Sequence, residues 1–242
     1  MAGALLVLAV AGVLRDRVGG DEAGQPCNDL QDPRCTDVAA GAASDAAAAL
    51  AGPHLSAAEA CRNVGYLCAD LEREASITLR RWKDFAGVIV VHVPRPDFES
   101  SGDAMALQQA AAIGLRAWNG QPFEILTDTR GDREAHFAVR WTESLGGSQI
   151  GVARTQWSAA GGLRVVSIEL STRNPFDPGR LNDPRQVRLT AAHEMGHALG
   201  LPHSNAARDV MYPTNTATSI SAQDYRTMES LYGLADGTQI TR

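Results

Sequence analysis

One short window constrains this 242-residue chain more than any other: His193-Glu194-Met195-Gly196-His197-Ala198-Leu199-Gly200-Leu201-Pro202-His203. It holds three of the six histidines. On a helix, positions i and i+4 share a face, so His193 and His197 can aim two imidazole nitrogens at one ion. Glu194 sits one residue on, rotated off that face, where it reaches a metal-bound water without ligating the metal. Gly200 can take positive φ and end the helix, after which the chain turns and returns His203 from another direction. Three neutral nitrogens with one open position describe a catalytic zinc site, whereas a structural site fills all four. A lone HExxH is a weak signal; Gly200 and His203 at these offsets make it specific.

The elements around this window can be read from periodicity. Residues 87–93 (GVIVVHV) form a β-branched run closed by Pro94, a strand signal. Asp103–Trp118 has a helical apolar period that Gly120 and Pro122 stop. Phe123–Thr127 reads as a short strand, and Ala135–Trp141 alternates as a half-buried one. Gln149–Trp157 and Leu163–Ser171 are strands around a turn at 159–162. Arg173–Pro184 reads as a loop bearing Pro and Asn. Asp183 can cap a helix with Pro184 at its first position, running to Leu199, and Ser221 with Asp224 opens a final helix ending at Gly233. Upstream, residues 56–82 are expected to be helical, from the Ser56/Glu59 capping-box spacing and the apolar recurrence Val64, Leu67, Leu71, Ala75. Residues 39–60 read as an alanine-rich helix or tether. The order predicts an α+β domain. The expected divisions are 1–20 as signal peptide or anchor, 21–79 as a linker-like or pro-like segment, 80–236 as the catalytic domain and 237–242 as a tail.

Composition narrows partners and compartment. The net charge is −6, from 22 basic and 28 acidic residues. With no basic block, a nucleic-acid partner or an anionic membrane surface is disfavoured. Residues 2–14 are uncharged and apolar, too few for the roughly 20 of a spanning helix, but suited to the core of a signal peptide, with Ala9-Val10-Ala11 as a small-x-small cleavage site. A buried N-terminal helix of a cytosolic protein is the alternative. The expected location is therefore extracellular or periplasmic, with any membrane attachment through the N-terminal segment alone. Cys27, Cys35, Cys61 and Cys68 all precede residue 70. An even count without a CxxC pair favours two disulfides over a four-thiolate zinc site, with three connectivities open.

The histidine window resembles the metzincin signature HExxHxxGxxH. Metzincins carry a methionine in a tight turn beneath the metal, and Met211 stands in Asp209-Val210-Met211-Tyr212-Pro213. Ser204, directly after the third histidine, resembles the matrixin choice, as do Met211-Tyr212-Pro213 and the closing helix. Pro213 occupies the slot where astacin- and serralysin-like members place a tyrosine. The resemblance implies a twisted mixed five-stranded sheet with an active-site helix and a C-terminal helix. It implies a secreted zinc endopeptidase of the matrix-metalloproteinase type, in a bacterial version, acting on protein or peptide as a monomer. It assigns one catalytic Zn²⁺ to His193, His197 and His203, the general base to Glu194, and structural roles to Gly200, Ser204 and Met211. The substrate would lie extended beside Gln149–Trp157, with Tyr212, Pro213, Thr214 and Asn215 walling its pocket.

The chain also departs from animal matrixins. Those carry a second zinc, but the histidines left for one, His92 and His136, lie on separate strands, and Glu169 is the one acidic residue in 149–171. A Ca²⁺ site built from backbone carbonyls stays open. Asp32-Pro33-Arg34-Cys35-Thr36-Asp37 partly resembles the cysteine switch of matrixin pro-segments, lacking its glycine and second proline. Pairing of Cys35 in a disulfide is favoured over a latency role. Three rivals remain: a non-catalytic binding module on this fold, disfavoured by the intact Glu194; a zinc hydrolase of another substrate using Glu229 as ligand; and a structural zinc protein, which lacks a fourth ligand.

Overall fold

The computed structural model describes residues 54–56, 65–72, 74–83, 87–98, 100–120, 122–214 and 216–241, all within the unit Ala46–Arg242. The apolar segment 2–14, Cys27, Cys35, Cys61, the switch-like run 32–37 and Asn215 lie outside the described residues.

The larger sheet has five strands. They are β3 (Val88–His92), β4 (Glu124–Asp128), β5 (Phe137–Thr142), β6 (Gly151–Ser158) and β7 (Gly162–Ser171), in the order β4-β3-β5-β7-β6. The first four in that order run parallel and β6 alone is antiparallel. This is the mixed five-stranded sheet of an α+β domain. Period-2 patterning made the strands legible: Ile89 and Val91 on β3, and Phe137 and Val139 on β5, point into the core while their neighbours face outward.

Among the described residues, three α-helices accompany the sheet: α1 (Ser101–Leu115), α2 (Pro184–Ala198) and α3 (Ala222–Gly233). Helix α1 is extended by a 3₁₀ turn, Arg116–Trp118. Helix α2 starts as its sequence requires: the Asp183 side chain accepts from Arg185 N–H at 2.7 Å, and Pro184 fills the first position. Helix α3 opens on a complete capping box between Ser221 and Asp224. Helices α1 and α2 touch closely, because a Cβ at Gly114 would overlap the Arg188 carbonyl oxygen. Trp118 locks that contact, fully buried, with its Nε1–H donating to Ala192 O at 2.7 Å.

Four sequence expectations need correction. Residues 56–82 are not a helix where described. Residues 65–68 form a turn, Ala69–Glu72 a 3₁₀ turn, and Ser76–Thr78 a strand, β2. Leu67 and Leu71 are buried as their spacing demanded, but Gly65 at φ 63° and the β-branched pair Ile77-Thr78 set other backbones. His54–Ser56, inside the alanine-rich stretch, is a strand (β1). Gln239–Thr241, expected as tail, is strand β10, sandwiched between β1 and β2 in a second sheet. The loop 173–184 contains a hairpin of β8 (Arg173–Asn174) and β9 (Asp177–Leu181). Its residues are half-buried or exposed, so no apolar alternation marked it. Asn182 stitches the hairpin to the sheet, its side-chain amide donating to Ser171 O and Arg173 O at 2.8 Å each.

The Trp118 wedge sets a first prediction. Trp118→Ala should lower unfolding free energy by about 3–5 kcal/mol, read as a fall in the urea midpoint at constant m-value. A midpoint within error of the parent would show that the α1–α2 contact does not depend on this ring.

Candidate active site

Helix α2 runs into the sheet with the histidine pair on its last turns. His193 and Glu194 are buried, and His197 is partly so. The helix ends at Gly200, where φ is +97° and a Cβ would overlap the Arg80 carbonyl oxygen. Both conditions exclude any other residue without displacement. The chain reverses there, Leu201 N–H donating to Gly196 O at 2.9 Å, and presents His203.

Nε2 of His197 lies 3.1 Å from Nε2 of His193 and 3.1 Å from Nε2 of His203. One nitrogen from each of the three falls within 4.8 Å of the others. The tautomers follow from the partners. Nδ1 of His193 faces Val210 O at 2.7 Å, and Nδ1 of His197 faces Leu201 O at 2.8 Å. A carbonyl only accepts, so each Nδ1 carries the proton and each Nε2 presents a lone pair. Burial pushes the His193 pKa down to about 4 and that of His197 well below its usual value, so both rings are neutral near pH 7. Neutral lone pairs 3.1 Å apart repel. A cation between them turns that repulsion into ligation, and tetrahedral nitrogens at about 2.0–2.1 Å from zinc stand about 3.3–3.4 Å apart. The donor set therefore fits zinc, with carbonyls fixing the ring orientation as second partners do in such sites.

Glu194 lies beside the triad. Its Oε2 accepts from Ala153 N–H on β6 at 2.7 Å. Burial pushes its pKa up to about 7, against the opposing pull of that N–H. A carboxyl balanced near neutrality is suited to taking and returning a proton. The approach of β6 depends on Gly151, where a Cβ would overlap Thr190 and come within 2.8 Å of Glu194 Cγ.

Beneath the triad lies the turn at Met211, which is fully buried. Its thioether packs on Gly196 of α2, where a Cβ would overlap Met211 Sδ and stand 3.0 Å from Trp118 Cζ2. Ser204 is buried; its N–H donates to Met211 O at 2.8 Å and its hydroxyl to Asp209 Oδ2. Asp209, fully buried, also accepts from Ser221 Oγ at 2.7 Å. Asp224 accepts from Val210 N–H at 2.9 Å and Met211 N–H at 3.4 Å. Tyr212 is half-buried, and Pro213 and Thr214 are exposed beyond the turn. Glu229 is exposed on α3.

The residues singled out in the sequence thus converge from α2, the 200–203 turn and the methionine turn. Sequence reasoning missed Gly151, Ala153, Gly196 and the second role of Asp224. The capping box was the available sign for Asp224. Nothing local marked the glycines, whose meaning comes from what packs on them.

A mixed sheet, an active-site helix and three converging imidazoles beside a carboxylate define a metallopeptidase-type site. The Matrixin family model matches residues 111–233, half of the chain. Archaemetzincin of Natronomonas pharaonis is 30% identical over 166 residues, 66% of this chain and 89% of that protein. Macrophage metalloelastase of Oryctolagus cuniculus is 51% identical over 51 residues, 19% of this chain and 11% of that protein. Stromelysin-2 of Rattus norvegicus is 42% identical over 59 residues, 22% of this chain and 12% of that protein. This chain spans only about a tenth of the length of the macrophage metalloelastases it matches. The chain belongs to the metzincin metallopeptidases.

Gly196 yields a second prediction. Gly196→Ala forces Met211 or Trp118 to move and should destabilise by about 1–3 kcal/mol, measured by denaturant unfolding. Unchanged stability would mean that the methionine turn yields freely and does not fix the floor.

Proposed function

We propose that the chain is a zinc-dependent endopeptidase that hydrolyses peptide bonds, with His193, His197 and His203 as metal ligands and Glu194 as general base. The observation that carries this reading is the convergence of three imidazole Nε2 atoms beside a buried carboxyl tied to the sheet's edge strand. When bound, zinc supplies Lewis acidity, lowering the pKa of water toward about 7 and polarising a carbonyl. Glu194 takes the proton of the attacking water and passes it to the leaving amine nitrogen. The Ala153 N–H holds one carboxyl oxygen in place through both transfers. No side-chain nucleophile is required, so no acyl-enzyme forms.

Strand β6 supports an extended peptide substrate. It ends the five-strand order, so its outer edge, apart from the Ala153 N–H held by Glu194, can pair with another strand. Main-chain pairing there recognises peptide with little sequence preference. Side-chain selectivity is assigned to the wall formed by Tyr212, Pro213, Thr214 and Asn215. Within the metzincins we place the chain with the matrixins, on Ser204, the Met211-Tyr212-Pro213 run and the family-model match. We further propose a bacterial, exported protein acting as a monomer. The apolar segment 2–14 and the even count of four cysteines, all before residue 70 and without a CxxC pair, support export.

Glu194→Gln should retain zinc at the parent stoichiometry and lose peptide hydrolysis by about 10²–10⁴-fold, read by metal analysis beside cleavage of a peptide mixture. Hydrolysis persisting in the metal-loaded variant would remove Glu194 from the role. His203→Ala should release zinc on dialysis against a chelator that the parent withstands; equal retention would remove His203 from the ligand set.

A further inference from the structure

The segment before residue 80 reaches the metal site. Tyr66 is buried, and its hydroxyl donates to Asp224 Oδ1 at 2.9 Å. Asp224 in turn accepts from the backbone N–H of Val210 and Met211. The Val210 carbonyl accepts from Nδ1 of His193. Tyr66 is therefore linked to the first histidine by hydrogen bonds at Asp224 and at His193, joined through the covalent backbone of Val210. A second attachment runs alongside: Tyr66 N–H donates to Thr227 Oγ1 at 3.2 Å, one turn along α3. Gly65 allows it, since a Cβ there would overlap that hydroxyl.

The same segment is built into the hydrophobic core. Tyr66, Leu67 and Leu71 belong to one buried cluster with Met211, Met228 and Leu231. Just downstream, β2 pairs with β10, and Leu79 N–H donates to Thr238 O at 2.8 Å. A segment that departs on activation would leave this core open and Asp224 one donor short.

We propose that residues 65–72 are a permanent brace of the catalytic domain, and that Tyr66 is a positioning residue whose hydroxyl, through Asp224, holds the Val210 carbonyl against His193. The inference rests on the reading of His193, His197 and His203 as metal ligands. Its corollary is that the metal-binding form keeps residues 65–72 in its intact mass.

The test uses the full chain loaded with Co²⁺, whose visible absorption reports ligand geometry. Tyr66→Phe keeps the buried ring and removes the hydroxyl. It should weaken Co²⁺ binding by about tenfold, alter the visible band, and lower kcat with KM unchanged. Leu67→Ala, on the same brace but outside the hydrogen-bond route, should lower the melting temperature and leave the band as in the parent. Equal bands in the parent and a folded Tyr66→Phe, or equal alteration in both variants, would reduce Tyr66 to packing and overturn the proposal. A Tyr66→Phe chain unable to fold would make the hydroxyl a folding requirement and overturn it too. A parent that binds no Co²⁺ would sink the metal-site reading itself, and this inference with it.

Discussion

The Nε2 lone pairs of His193 and His197 face each other at 3.1 Å, with His203 Nε2 another 3.1 Å from His197, and much of the fold is arranged to hold these three rings together. His193 and His197 are fixed by backbone carbonyls from two different turns, so neither ring can rotate to relieve the repulsion without breaking a hydrogen bond. The helix carrying them is anchored at its start by Asp183 and along its flank by Trp118. Its end is forced by Gly200 packed on Arg80. The strain of assembling like dipoles is offset when a metal binds, which couples metal affinity to the stability of the domain.

Two buried carboxylates carry the floor of the site. Asp209 and Asp224 stand 15 residues apart in sequence, yet both hold the stretch between His203 and α3. Asp209 takes hydroxyls from Ser204 and Ser221. Asp224 takes backbone N–H groups at Val210 and Met211 while completing the capping box of α3. One residue thus starts a helix and suspends the methionine turn. Buried carboxylates tolerate such positions only when several donors meet them.

What could be read from sequence follows physical range. The α2 boundaries, the cap at Asp183 and the box at Ser221 were legible because capping depends on residues only two or three apart. Strands β3 and β5 were legible because one face is buried. The β8–β9 hairpin was not, since neither face is buried. The stretch 56–82 misled because Leu67 and Leu71 keep helical spacing while lying on a turn and a 3₁₀ turn, where burial in the core outweighs local propensity. Gly151 and Gly196 were silent for a related reason. Each is required by a neighbour distant in sequence, Glu194 for one and Met211 for the other.

The central claim is that His193, His197 and His203 hold one zinc with a coordination position left for water. Zinc X-ray absorption on the full chain, at one equivalent of metal, tests it most directly. The account predicts three imidazole nitrogens at about 2.0–2.1 Å and one further light ligand from solvent. A sulfur in the shell, a fourth protein nitrogen, or fewer than three imidazoles would contradict it.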